Sequence, residues 1–128
     1  MFGSQNNKII TFALDFDPAA DDQLYLFKAP TQMEIVSASF ACNNAVAAST
    51  ANYFNLQLKN GGTAFTGTAL VSDSIGGTTG FAALTPIDFT ISNGTITPGQ
   101  IVYVDYDETG TGTFTAGVLQ INYREGIA

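Results

Sequence analysis

Apolar and polar side chains alternate at a period of two residues along most of this chain. The alternation is clearest over residues 33–42, 54–59, 87–92 and 102–106. Successive side chains of a β-strand point to opposite faces of a sheet, so each of these segments predicts a strand with one buried face. No segment keeps a helical period of 3.6 residues. The pattern therefore predicts an all-β protein with little or no helix.

The first three strands are predicted in the N-terminal third of the chain. The first follows Lys8 and ends at Pro18, because proline cannot donate to a sheet ladder. Its apolar positions are Ile10, Phe12, Leu14 and Phe16. The second strand covers residues 24–29 and ends at Pro30. In the third, which covers residues 33–42, one face is expected to carry Val36, Ala38, Phe40 and Cys42.

Turn-forming residues separate the later strands. Residues 43–52 and 73–80 are rich in small and polar residues and are predicted to be loops. The run 60–62, Asn-Gly-Gly, is a strong turn signal, and residues 63–72 predict a weaker strand interrupted by Gly67. The run 97–100, Thr-Pro-Gly-Gln, fits a type II turn, since proline sets the first central angle and glycine supplies the positive φ at the second.

The closing strand shows a change of phase. Phe114 and Ala116 fall on even positions, whereas the later apolar residues fall on odd ones: Leu119, Ile121 and Tyr123. A β-bulge near Gly117 would reconcile the two phases, because glycine tolerates the backbone angles that a bulge requires.

The strand and turn spacing predicts a two-sheet antiparallel β-sandwich, jelly-roll-like, with about eight strands. Residues 8–128 are expected to form this single domain. Residues 1–7 are uncharged and mostly small and polar, and Phe2 is the large aromatic residue among them. They are predicted to be a flexible N-terminal arm.

Composition excludes several kinds of partner. Only 12% of the residues are charged, and the net charge is −7 with four cations, Lys8, Lys28, Lys59 and Arg124. Nucleic-acid binding needs clustered lysines and arginines, and an anionic membrane repels an acidic chain. No apolar stretch approaches the ~20 residues of a membrane span, and no secretory signal is visible. We expect a protein that binds neither nucleic acid nor membrane and is assembled in the cytoplasm.

Reactive groups are scarce. The chain has no histidine and one cysteine, Cys42, so neither a histidine-activated nucleophile nor an internal disulfide can form. Cys42 falls in an alternating apolar run and is expected to be a buried structural thiol. No Ser-x-x-Lys spacing occurs, and residues 76–80 lack the lysine of a phosphate-binding loop. We expect no catalytic residues, no cofactor and no metal needed for folding.

Two acidic groups were weighed as sites. Asp15, Asp17, Asp21 and Asp22 lack the spacing of an EF-hand, so a solvated loop is favoured over a calcium site. Paired carboxylates such as those at 105, 107 and 108 serve glycosidases, but here they alternate outward on a strand in a chain without tryptophan. A solvent-facing group, or a cation site at a subunit edge, is favoured over catalysis.

Three phenylalanines lie outside the clear strands and are candidates for contact with another chain: Phe2, Phe65 and Phe81. Large apolar side chains in otherwise polar loops are typical of partner-binding surfaces. Packing of the same loops against the ends of the sandwich is the alternative. Lys8, directly after the arm, completes the predicted set of contact residues.

Three short segments of the sequence resemble those of a known protein family. They are Leu-Phe-Lys-Ala-Pro at 26–30, Tyr-Phe-Asn-Leu-Gln-Leu-Lys-Asn-Gly at 53–61, and Pro-Gly-Gln-Ile-Val-Tyr at 98–103, followed by a terminal strand that ends at Tyr123. In this order they resemble the small β-sandwich cement or decoration proteins of tailed-phage heads. The resemblance covers most of residues 9–124 and consists of strand and turn phrases rather than a functional motif.

The resemblance implies a non-enzymatic structural protein that binds the major capsid protein on the outside of an assembled head and stabilises it. It also implies a homotrimer located on the exterior of the virion. The alternative function is a carbohydrate-binding β-sandwich module of a viral fibre or a glycan-degrading assembly, in which tyrosines replace tryptophan as the stacking platform. A small hydrolase is a weaker alternative, since no base–nucleophile pair can be assembled.

Overall fold

The computed structural model describes residues 7–14, 21–61, 65 and 69–126, and every regular element in them is a β-strand. Among these residues no helix is long and apolar enough to cross a membrane. The strands are β1 (Lys8–Leu14), β2 (Asp22–Lys28), β3 (Met33–Cys42), β4 (Tyr53–Gly61), β5 (Ala69–Leu70), β6 (Ile75–Gly76), β7 (Ile87–Phe89), β8 (Thr95–Ile96), β9 (Ile101–Thr109) and β10 (Gly117–Glu125).

The strands form two antiparallel sheets. The first has the order β1-β10-β3-β7, with β8 also paired to β3, and the second has the order β2-β9-β4-β5, with β6 also paired to β4. Because β7 and β8 lie along one side of β3, and β5 and β6 along one side of β4, the ten segments fill eight strand positions. Eight positions in two sheets, with the first strand beside the last, are the arrangement of a jelly roll. The predicted two-sheet β-sandwich is confirmed.

The core lies between the inner faces of the two sheets. One end of it is an aromatic cluster around Phe54, whose ring centroid lies 5.0 Å from that of Phe81, 5.2 Å from Phe114 and 5.6 Å from Tyr106. Burying a large apolar side chain of this kind contributes roughly 1.5–3 kcal/mol. The Tyr106 hydroxyl donates to the carbonyl oxygen of Gly112 at 2.7 Å, so its polar end is satisfied inside the cluster.

Strand β3 has the predicted bounds, but its buried face changes phase along the strand. Ile35 and Ala38 are both buried, whereas the two residues between them are exposed. The register against β10 shifts at this point and leaves Val36 out of the pairing, as the extra residue of a β-bulge. The prediction that Val36 shares a face with Ala38, Phe40 and Cys42 is therefore wrong for Val36.

The predicted bulge near Gly117 is also wrong. β10 begins at Gly117 and pairs with β1 in a continuous register over seven residues. Phe114 and Ala116 precede the strand, so their even positions require no register shift within β10. A Cβ atom on residue 117 would lie 2.7 Å from the ring of Phe40, and close packing against that ring is what requires glycine here.

The turns and loops follow the prediction in part. Gly99 has φ +88°, and the Gln100 N–H donates to the Thr97 carbonyl at 3.2 Å, which confirms the turn at 97–100. The predicted loop 73–80 contains β6, and the loop 43–52 contains one isolated bridge, from Val46 to Phe81. Of the weak strand predicted over 63–72, Ala69–Leu70 is a strand, while residues 62–64 and 66–68 lie outside the described residues.

Candidate partner-binding surfaces

Phe81 lies in the core of the domain. Its side chain is 4% exposed, its ring plane lies 8° from that of Phe54, and it meets Phe40 edge-on at 5.9 Å. Of the two alternatives that the sequence left open, packing against the end of the sandwich describes Phe81. Its ring offers almost no surface to another chain.

Phe65 lies against the outer face of the second sheet. Its φ of +58° is unusual for a residue with a side chain, and its ring contacts Tyr103 at 5.2 Å and Tyr25 at 6.3 Å, both edge-on. Tyr103 is 1% exposed beneath it, whereas Tyr25 is 57% exposed. Phe65 therefore helps to cover one tyrosine and leaves the other open at the surface.

Lys8 opens strand β1. Its Nζ atom lies 2.5 Å from a carboxylate oxygen of Glu125 on β10, and this hydrogen bond, together with the negative charge, raises the pKa of Lys8. Phe2 lies outside the described residues, as do the other arm residues up to residue 6.

The described members of the two acidic groups lie together beside β2 and β9. Asp21, Asp22 and Asp105 line a pocket of about 170 Å³ together with Gln23. The Asp21 carboxylate accepts a hydrogen bond from the backbone N–H of Glu108 at 3.0 Å. No cluster of three metal-ligating side chains occurs in the described ranges, and Asp15 and Asp17 lie outside those ranges.

One lysine counters the charge of this acidic surface. The Nζ atom of Lys59 on β4 lies 2.7 Å from a carboxylate oxygen of Asp105, and this hydrogen bond raises the pKa of Lys59. Burial raises the pKa of Asp107, and the charges of Asp105 and Asp21 raise it further, while Lys59 opposes them. The arrangement is that of crowded carboxylates on an open strand face.

Cys42 is buried as predicted. It is 0% exposed, and burial raises the pKa of its thiol to about 11. Because the thiolate is the nucleophilic form, this group is inert at neutral pH.

An apolar groove of about 220 Å³ opens beside β1, between the two sheets. Phe12, on the same side of β1 as Ile10, stacks on Phe27 of β2 with ring centroids 6.1 Å apart. All three side chains are only half-buried. The sandwich is therefore open along this side. The groove is lined by Ile10, Phe27, Lys28, Pro30, Met33, Tyr123 and Glu125.

β1 forms an edge of the first sheet. One side of it pairs with β10, and no other described strand pairs with its second side. Alternation predicted the strand but cannot distinguish an edge strand from a central one, because that depends on the order of strands in the sheet. The free edge and the groove together form one continuous open side of the domain.

Sequence reasoning also missed the large apolar side chains that are most exposed. Ile9 is 64% exposed, because it alternates with the inward residues of β1. Two adjacent isoleucines in an alternating strand must point to opposite faces, and this is the one signal that could have identified Ile9 as exposed. The exposure of four others depends on a bulge, a sheet edge or a loop conformation: Tyr25, Val36, Leu70 and Leu84. Val118 is exposed because it alternates with the inward residues of β10.

Comparison with known proteins yields only distant likeness. No protein-family model and no curated protein matches the chain. A solved structure, "Structure of infectious bursal disease virus Gx strain", is similar over 95% of this chain and 37% of that chain, with 13% sequence identity and a TM-score of 0.42. This chain thus spans little more than a third of that one, and the similarity is too distant to indicate what the chain does.

Proposed function

We propose that this chain is a non-enzymatic structural protein that binds the outer surface of an assembled phage capsid and stabilises it. The observation that carries the proposal is the open side of the sandwich, where the free edge of β1 lies beside the half-buried Ile10, Phe12 and Phe27. Apolar side chains left partly covered beside an unpaired strand are typical of a surface that another polypeptide covers.

The sequence segments at 26–30, 53–61 and 98–103 support a phage capsid as the surface that is bound, because they resemble those of cement proteins. The proposed partner is the major capsid protein, and the proposed location is the exterior of the virion after assembly in the host cytoplasm.

Stabilisation would follow from mass action. A protein that binds the assembled shell and not the free subunits shifts the equilibrium toward the intact particle. We include a homotrimer in the proposal, because three linked copies make the second and third contacts effectively intramolecular.

Adding the purified protein to undecorated heads tests this function. The protein is expected to bind and to raise the temperature at which the heads are disrupted. Ile10→Lys places a charge beside the groove and should weaken binding, whereas Thr90→Lys, exposed next to β7 at the opposite edge of the sheet, should not. Melting curves of both variants check that the domain is folded. Heads that neither bind the protein nor gain stability would refute the proposal.

A carbohydrate-binding module is the second candidate, and the exposure of Tyr25 favours it. Tyr25 lies on the outer face of the second sheet, and the register places Gln23 and Asp105 beside it. An aromatic ring with neighbouring amide and carboxylate groups is suited to a sugar face and its hydroxyls. A glycan array with wild type and Tyr25→Ala tests it: binding that the variant loses, combined with no binding to heads, would favour this function.

A further inference from the structure

The described edges of the two sheets differ in how well they could accept another strand. β2 has a register shift between Tyr25 and Phe27 and a charged residue at each end. The opposite edges consist of pieces of two or three residues, β5 and β6 in one sheet, β7 and β8 in the other. Shifts, charges and short strands are the usual means by which proteins prevent edge-to-edge pairing.

β1 lacks these protections. It pairs with β10 over seven residues without a shift, so its free edge is regular. Residues 9–14, Ile-Ile-Thr-Phe-Ala-Leu, contain no charge and no proline. Lys8 is the one charge in the strand, and it already pairs with Glu125. Although the chain carries a net charge of −7, two copies could bring this edge together without opposing like charges along it.

We propose that the free edge of β1 pairs antiparallel with β1 of a second copy, across a twofold axis at Thr11. Both copies then contribute the same strand, as a twofold contact requires. Ile10 lies opposite the partner's Phe12, Ile9 opposite the partner's Ala13, and Thr11 opposite the partner's Thr11. Pairs of a β-branched and an aromatic residue across two strands are stabilising.

The groove supplies the second part of the interface. In this register the inward side chains of the added strand, the partner's Ile10 and Phe12, extend over the open side of the sandwich next to Phe27. Strand addition draws affinity from backbone hydrogen bonds and specificity from pockets that receive alternate side chains. The half-buried apolar side chains of both copies are covered by one contact.

Self-pairing opposes no like charges along the strand. Lys8 falls opposite the partner's Leu14, an apolar residue, and keeps its own ion pair with Glu125. This inference goes beyond the proposed function, because it concerns two copies in solution and needs no shell. Since it uses the same open side as the proposed shell contact, a copy engages either a second copy or the shell at one time.

Disulfide trapping tests the contact. Residues directly opposite each other in an antiparallel pair have Cα atoms about 4.5–5.5 Å apart, within the range of a disulfide. Thr11→Cys is therefore expected to form a covalent dimer at least about tenfold faster than Gln120→Cys, because pairing raises the effective concentration of the two thiols. Gln120 is a matched control, since it is exposed and pairs with Thr11 from the inner strand β10. The buried Cys42 stays out of the reaction.

Two results would overturn the proposal. Equal rates for the two cysteine variants would exclude pairing at Thr11. A Thr11→Cys disulfide that forms only with a shell protein bearing its own cysteine, and never between copies, would assign the edge to a strand of the shell instead.

A charge variant gives a second measurement. Thr11→Lys places two lysines opposite each other at the twofold axis and should weaken association in sedimentation equilibrium at least about tenfold, since like charges directly opposite are destabilising. Gln120→Lys adds the same charge one strand away and should not. Circular dichroism and melting curves check both folds, and equal association of the two variants would overturn the contact. Failure of the protein to bind heads leaves this result unchanged, so the two proposals fail separately.

Discussion

The ring of Phe81 stacks on the ring of Phe54, with centroids 5.0 Å apart and an angle of 8° between the planes. Phe54 belongs to β4, whereas Phe81 is fixed to Val46 by an isolated bridge between two loops. The stack therefore attaches these loops to the core and closes one end of the sandwich.

Removing this ring should be costly. Phe81→Ala is expected to lower the free energy of unfolding by about 3–5 kcal/mol, the usual effect of a cavity in an aromatic core. Urea denaturation measures it. Leu84→Ala, three residues further along the chain and 73% exposed, should change the free energy by less than about 0.5 kcal/mol. A small loss at position 81 would contradict its place in the core.

Gly117 should tolerate no added methyl group. Gly117→Ala is expected to destabilise by about 1–3 kcal/mol, the range for overpacking, because its Cβ would lie 2.7 Å from the Phe40 ring. In a Phe40→Leu background the same substitution should cost less, since the opposing ring atoms are gone. A double-mutant cycle measures this coupling. Equal costs in both backgrounds would assign the constraint to the backbone.

Asp107 should make the folded state less stable when it is ionised. Burial, followed by the charges of Asp105 and Asp21, raises its folded-state pKa above 3.8. A carboxyl whose pKa is higher in the folded than in the unfolded state carries a penalty at neutral pH that disappears as the pH falls through the folded pKa.

Asp107→Asn is therefore expected to raise the melting temperature at neutral pH and to have no effect in acid below both pKa values. Melting followed by circular dichroism at the two pH values checks this. Asp88→Asn, an exposed carboxylate on β7, is the control for the loss of one negative charge. A gain that persists in acid would exclude the charge of Asp107 as its cause.

Cys42 should react slowly with thiol reagents in the native protein. It is 0% exposed, and its pKa of about 11 leaves almost no thiolate at neutral pH. Denaturant should release one rapidly reacting equivalent, and Gln120→Cys, exposed on β10, should add one in the native state. Rapid modification of the native wild type would show that the thiol is accessible.

The alternation along β3, β4 and β9 was sufficient to predict these strands, because each has one face in the core. The bulge at Val36 could not be predicted, since it is set by pairing with β10 near the end of the chain. The two-residue strand β6 lies in a segment rich in glycine and threonine, and it forms because β4 offers it an edge.

The candidate surface was less predictable than the fold. Phe65 and Phe81 both lie in polar segments, and only tertiary packing separates them: Phe81 enters the core, whereas Phe65 lies on an outer sheet face. The strand at residues 8–14 was predicted, but its position at an edge follows from the strand order. Local sequence carries no information on that order when all strands alternate in the same way.

The position of β10 also determines when the molecule can fold. The last strand of the chain lies between β1 and β3, so neither obtains its main neighbour until residues 117–125 have left the ribosome. Pairing of such distant segments is slow, and unpaired strands are prone to aggregate until their neighbouring strand has been synthesised and has paired with them. During translation β1, which is uncharged over residues 9–14, therefore has both edges open, and it is the first of the described strands to face that hazard.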